Sequence, residues 1–225
     1  MPKPNSLAIH PTDDLLTSPT TRLPVVVTLD TSASMHGEPL RELQEAMRLF
    51  LAEVAADPDA SASADIALIT AGGEVAVHRS FGLASSGGAA PLRARGDTPL
   101  GRAVGAAIDL LDQRKAQYKA AGTPYLQPWL VILTDGKPTD EFQSVGARTA
   151  RLVADKKLTV FPVGVGPEAD LGTLKLLAGG ITPLRLKGLA FAELFKWLSA
   201  SVACASRSTP GQGVALPSPF TWVEL

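Results

Sequence analysis

The stretch "PVVVTLDTSASM", residues 24–35, sets an apolar run directly against an acid and two hydroxyls. "PVVVTL" (24–29) has no polar alternation, which predicts a strand covered on both faces. Asp30, Ser32 and Ser34 then follow at every second position, on the turn that leaves the strand. A core strand that ends in clustered oxygen donors predicts a ligand site at its carboxyl end.

The rest of the chain supplies the sheet around that strand. Leu40, Leu43, Met47, Phe50, Leu51 and Val54 recur at helical spacing within 39–56, with Pro39 suited to the first turn. Segments 65–70 and 74–78 read as a hairpin turned by Gly72 and Gly73. A glycine- and serine-rich loop (82–97) precedes a helix near 99–119, whose stripe is Leu100, Ala103, Val104, Ala107 and Leu111. "WLVILTDG" gives a second buried strand ending in an acid. A helix near 142–156, the strand "LTVFPVGVG", a helix at 170–178, a strand at 181–186 and a helix at 190–205 complete the pattern. There is no internal repeat. Strands alternating with helices, plus one hairpin, predict an open, mostly parallel α/β sheet with helices on both faces. In such sheets the ligand site lies beyond the carboxyl ends of the strands.

Composition bounds the function. The chain has 225 residues, 45% of them hydrophobic and 19% charged, with a net charge of −1. That suits one domain and argues against a nucleic-acid tracker or a polybasic membrane binder. Residues 1–23 read as an N-terminal arm, 24–206 as the domain, and 207–225 as a Pro-rich tail packing on it. Cys204 is the single cysteine, which excludes an intrachain disulfide and a thiolate zinc cluster and reads as core filler. Trp197 and Trp222 read equally as core or interface. No secretory signal is visible, and a cytoplasmic location is the default expectation.

The chemistry of the strand ends points to a hard cation. Mg²⁺ takes about six oxygens at roughly 2.1 Å and keeps several as water. Asp30, Ser32 and Ser34 offer converging oxygens, "GDTPLG" (96–101) offers Thr98, and Asp135 ends the neighbouring strand. Singly, each has a blander reading: Asp30, Ser32 and Ser34 as turn residues, Thr98 as a helix N-cap, Asp135 before Gly136 as a turn pair. Together and in this order they point to one divalent-metal site.

The pattern D-x-S-x-S, then T, then D resembles the metal-ion-dependent adhesion site of von Willebrand factor A domains, from about residue 24 to the final helix. "LDTSASMHGEPL", "GDTPLG", "LTDGKPTD", "FPVGVGPEADLGTLKLLA" and "FKWLSASVACAS" resemble more narrowly the bacterial TerY-like branch, linked with tellurium resistance. The resemblance implies a Rossmann-like six-stranded sheet of order 3-2-1-4-5-6, with the hairpin strand antiparallel at the edge. It implies that Ser32, Ser34 and Thr98 ligate the metal, while Asp30 and Asp135 act directly or through water. Asp97 departs from the family, which commonly has a small residue there. Mg²⁺ is the expected ion, with Mn²⁺ and Ca²⁺ as alternatives.

The resemblance further implies binding rather than catalysis. Neutral hydroxyl ligands leave charge on the ion, so a protein partner's Asp or Glu carboxylate is expected to complete its shell. Met35, His36, Asp97 and Lys137 flank the ligands and are expected at that interface. Relatives are associated with a Ser/Thr protein kinase and a phosphatase of the 2C class, in stress or metal-resistance systems. The alternatives are a Mg²⁺-dependent phosphohydrolase and an interaction module with an empty metal site. A dehalogenase-type phosphatase needs a second Asp at position 32, and G-x-S-x-G is missing. His36 is the only histidine near enough to serve as a base.

Overall fold

The computed structural model describes residues 20–88, 90–209, 213–219 and 222–224; the expected N-terminal arm lies almost wholly outside them. β1 (Leu23–Asp30) is buried along its entire length, as an apolar run without alternation requires. It pairs in parallel with β2 (Ala64–Gly72) on one side and β4 (Trp129–Thr134) on the other. β3 (Glu74–Arg79) lies antiparallel to β2, while β5 (Thr159–Val165) and β6 (Leu184–Leu186) extend the parallel part. The order is β3-β2-β1-β4-β5-β6, the order expected.

Helices cover both faces. Val25, Val27 and Leu29 of β1 face one core, shared with α1 (Glu38–Ala56) and α6 (Phe191–Ser206). Val26 faces the other, shared with α3 (Leu100–Ala121), while α4 (Gln143–Ala154) and α5 (Leu171–Leu177) pack on the same side. The period of two along β1 therefore feeds two separate cores.

Two elements differ from the sequence reading. A short helix, α2 (Pro58–Ser63), stands where none was expected; the Asp57 carboxylate caps it by accepting from Asp59 N at 3.0 Å and Ala60 N at 2.8 Å. The last strand starts at Leu184 rather than at 181, because Gly179 and Gly180 take left-handed φ of 70° and 93° and Pro183 has no N–H to pair.

The described part of the tail returns to the sheet edge. Trp222 is 1% exposed and packs on Trp197 with ring centroids 5.4 Å apart, so both tryptophans are core. Trp197 Nε1 donates to Pro217 O at 2.8 Å, and Val223 forms an antiparallel bridge with Leu186.

Candidate functional site

Asp30 ends β1 and is 1% exposed. One carboxylate oxygen accepts from Ser32 N at 2.9 Å and the other from the Thr134 hydroxyl at 2.6 Å. Thr134 ends β4, so this bond ties two neighbouring strand ends together. The Ser32 and Ser34 hydroxyls lie 2.9 Å apart, and Ser34 Oγ donates to Asp135 Oδ1 at 3.0 Å. Four of the five expected metal ligands thus form one linked set of oxygens at the carboxyl pole.

Thr98 is brought to the same pole by its backbone. Gly96 O accepts from Ala33 N at 3.0 Å, Asp97 O from Gly73 N at 2.7 Å, and Thr98 O from Thr139 N at 2.9 Å. The loop is thereby clamped between the turn after β1 and the loop after β4. Thr98 is buried, but it is not the cap of α3: Gly101 N and Arg102 N donate to the two oxygens of Asp140, at 2.9 and 2.8 Å. Asp140 and Thr134 position the site, and the sequence reading assigned neither a role. Their partners lie 38 to 104 residues away, so no local pattern marks them.

Glycine is required where β2 passes beneath the turn. A Cβ on Gly72 would lie 2.2 Å from the Thr31 carbonyl oxygen, nearer than packed atoms approach. Thr31 is itself held there, donating to Ala71 O at 2.8 Å and accepting from Arg95 N at 2.9 Å.

One expectation about the surrounding surface is corrected. Met35 ends a 3-10 turn (Ala33–Met35) that directs it inward, and at 2% exposure it belongs to the core. It is therefore removed from the surface offered to a partner. His36, Asp97 and Lys137 are exposed around the site; Lys137 faces Asp170 at 4.0 Å.

Burial pushes the Asp30 carboxyl up to about 6, against the hydrogen bonds from Ser32 and Thr134 and with added repulsion from Asp135. Its folded value lies above the ordinary one, so the metal-free fold favours the protonated acid. The resulting penalty is absent below about pH 3.8, builds as pH rises from there to about 6, and stays at roughly 3 kcal/mol above that. In EDTA, Asp30→Asn is therefore expected to be more stable than wild type at pH 7, with the gap closing toward pH 4.5. Denaturant unfolding of both proteins across that range measures it. A gap that does not change with pH contradicts this assignment.

The donor set fits a hard cation and no soft one. Carboxylates and hydroxyls suit Mg²⁺, Mn²⁺ or Ca²⁺, whereas soft metals favour thiolates. Among the described residues, no three His, Cys, Asp or Glu side chains gather into a metal cluster, so the candidate site rests on its hydroxyls as well as its carboxylates.

Comparison with known proteins supports the fold. The family model of the von Willebrand factor type A domain matches residues 25–183. Proximal thread matrix protein 1 of the mussel byssus superposes with a TM-score of 0.58 at 18% identity, covering 82% of this chain and 49% of that one. A von Willebrand factor type A structure from Catenulispora acidiphila gives 0.62 at 19% identity, covering 82% and 43%. Another structure of the mussel protein, at 17% identity and a TM-score of 0.57, is described as having a zinc-occupied MIDAS motif; it is covered to 48%, against 82% of this chain. The chain thus spans less than half the length of these solved proteins. No curated protein matches it.

Proposed function

Because the chain belongs to the von Willebrand factor type A domain family, we propose that it is a metal-dependent protein-binding module rather than an enzyme. In this reading Asp30, Ser32, Ser34, Thr98 and Asp135 hold one divalent cation, Mg²⁺ foremost. An Asp or Glu carboxylate from a protein partner completes the coordination. The observation that carries the proposal is the linked oxygen set of Ser32, Ser34 and Asp135 beside the buried Asp30. With the hydroxyls of Ser32, Ser34 and Thr98 as direct ligands and Asp30 and Asp135 acting through water, the ion keeps positive charge at its open position, which attracts an incoming carboxylate.

Within the family, the motifs quoted above support the TerY-like branch. That resemblance, and no residue of the site, is what suggests a cytoplasmic setting in a stress or tellurium-resistance system, with a kinase and a 2C-class phosphatase as partners. The lone Cys204 agrees with a reducing compartment.

The test is calorimetric titration with MgCl₂, followed by capture of partners from lysate. Wild type is expected to bind one ion, and Ser34→Ala to bind it about tenfold more weakly, equivalent to roughly 1.4 kcal/mol. EDTA and Asp30→Ala should both abolish partner capture while the protein stays folded. A wild type that binds no divalent ion, or partners retained equally in all samples, overturns the reading.

A further inference from the structure

At the pole opposite the metal-type site, beyond the amino ends of β1, β4 and β5, lies a cavity of about 670 Å³. That volume falls within the range of small-molecule sites, about 300–1,000 Å³. Its apolar lining comes from Leu23, Leu126 and Trp129, with Val214 and Leu216 of the tail adding one wall. Four cations stand around it: Lys115, Lys119, Lys156 and Lys157. None of the described lining residues is acidic. Lys115 is paired with Asp112 at 2.6 Å and Lys157 with Asp155 at 2.9 Å. Among the described residues no carboxylate pairs with Lys119 or Lys156.

Lys156 is set there at the expense of the backbone. Asp155 ends α4, Lys156 N donates to Val153 O, and Lys157 N donates to Leu152 O. These are the two bonds of a Schellman ending, whose left-handed position is normally glycine. Here it is Lys156, at φ 55°, the one described non-glycine residue with positive φ. The dipole at the end of α3 accounts for Lys119 in its last turn. It does not account for a strained lysine beside an apolar cavity.

We infer that this cavity binds an organic anion, a compact apolar body carrying one carboxylate or phosphate. The apolar part lies on Trp129 and Leu126, and the anionic group sits between Lys119 and Lys156. Lys119 and Lys156 are both exposed beside the cavity, and an anion placed there meets two ammonium groups that no described carboxylate pairs with. The site is independent of the divalent cation.

The experiment titrates the full chain, in EDTA, with decanoate, decyl phosphate, decanol and inorganic phosphate, reading Trp fluorescence and amide chemical shifts. Decanoate or decyl phosphate should bind at one site and shift the amides of Leu126, Trp129 and Val214. Which of the two binds more tightly identifies the head group. Decanol and inorganic phosphate should each bind at least about tenfold more weakly, lacking the charge or the apolar body. Lys156→Gly removes the strained conformation, so it should melt no lower than wild type and yet bind more weakly. Lys119→Gln with Lys156→Gln should weaken binding further. Decanol binding as tightly as decanoate, shifts confined to other surfaces, or full affinity in Lys156→Gly would each overturn the inference. Because EDTA is present throughout, failure here leaves the metal-dependent reading standing, and the MgCl₂ titration tests that separately.

Discussion

Arg114→Ala is expected to destabilise the protein by about 3 kcal/mol, because it removes the ion-pair partner of a fully buried carboxylate. That carboxylate is left with the Tyr118 hydrogen bond and the charges of Arg22 and Arg79. Asp65 of β2 is fully buried, and Arg114 of α3 is 1% exposed. Arg114 Nε donates to Asp65 Oδ2 at 2.6 Å, and the Tyr118 hydroxyl donates to the same oxygen. Burial, reinforced by the Asp65 charge, pushes the Tyr118 phenol upward, so it remains a donor at any ordinary pH. Burial opposes the Arg114 charge, yet Asp65 beside it prevails and holds its pKa above the usual arginine value. The set is not fully satisfied: Asp65 Oδ1 and Arg114 Nη2 lack a hydrogen-bond partner. The intact pair therefore contributes less than its removal costs. The double variant Asp65→Leu with Arg114→Met should recover most of the loss. Urea unfolding of the wild type, the single variant and the double variant measures the coupling. A single-variant loss below about 1 kcal/mol, or a double variant worse than the single, contradicts this account.

Gly72→Val is expected to remove divalent-cation binding and to destabilise the fold by several kcal/mol. Its Cβ would meet Thr31 O at 2.2 Å and Thr31 Oγ1 at 2.6 Å, and backbone on both sides cannot swing away. Thr31 lies between Asp30 and Ser32, so any displacement separates the oxygens that the site holds together. Gly136, in the loop after β4, is the control. A Cβ there meets nothing within 4 Å and its φ is not left-handed, so Gly136→Ala should retain both stability and metal affinity. Thermal unfolding with and without MgCl₂ separates the two effects. A Gly72→Val protein with the wild-type response to MgCl₂ would show that the turn does not set the site.

What the sequence made legible was local. The unbroken run in "PVVVTL" marks a central strand because burial on both faces leaves no polar position. The helical stripes of α1 and α3 read correctly for the same reason: Leu43, Met47 and Phe50, and Val104, Ala107 and Leu111, are all buried. The motif spacing placed Asp30, Ser32, Ser34 and Asp135 at one pole. The supports of that pole were not legible. Asp140 caps a helix that begins 40 residues earlier in the chain, and Thr134 bonds to an acid 104 residues earlier in sequence. Asp65 and Arg114 likewise meet only through the packing of α3 on β2. Met35 shows the opposite error: its polar neighbours read as surface, while a single 3-10 turn was enough to bury it.

The returning tail changes what the sheet offers to its surroundings. A three-residue strand at a sheet margin is a template for another chain, since its outward N–H and C=O groups await a partner. Here Lys187 N donates to Trp222 O at 2.8 Å, and Glu224 N to Arg185 O at 3.0 Å, so the molecule answers its own open margin. Trp222, wedged against Trp197, holds that closure in place. At the other margin β3 carries the exposed Glu74, paired with Arg95 at 3.1 Å, and His78, whose charge and polarity disfavour pairing with a second chain. Arg79 turns inward to the carbonyls of Ile66, Gly82 and Leu83. Both margins are thus guarded against edge-to-edge polymerisation, one by pairing and the other by charge.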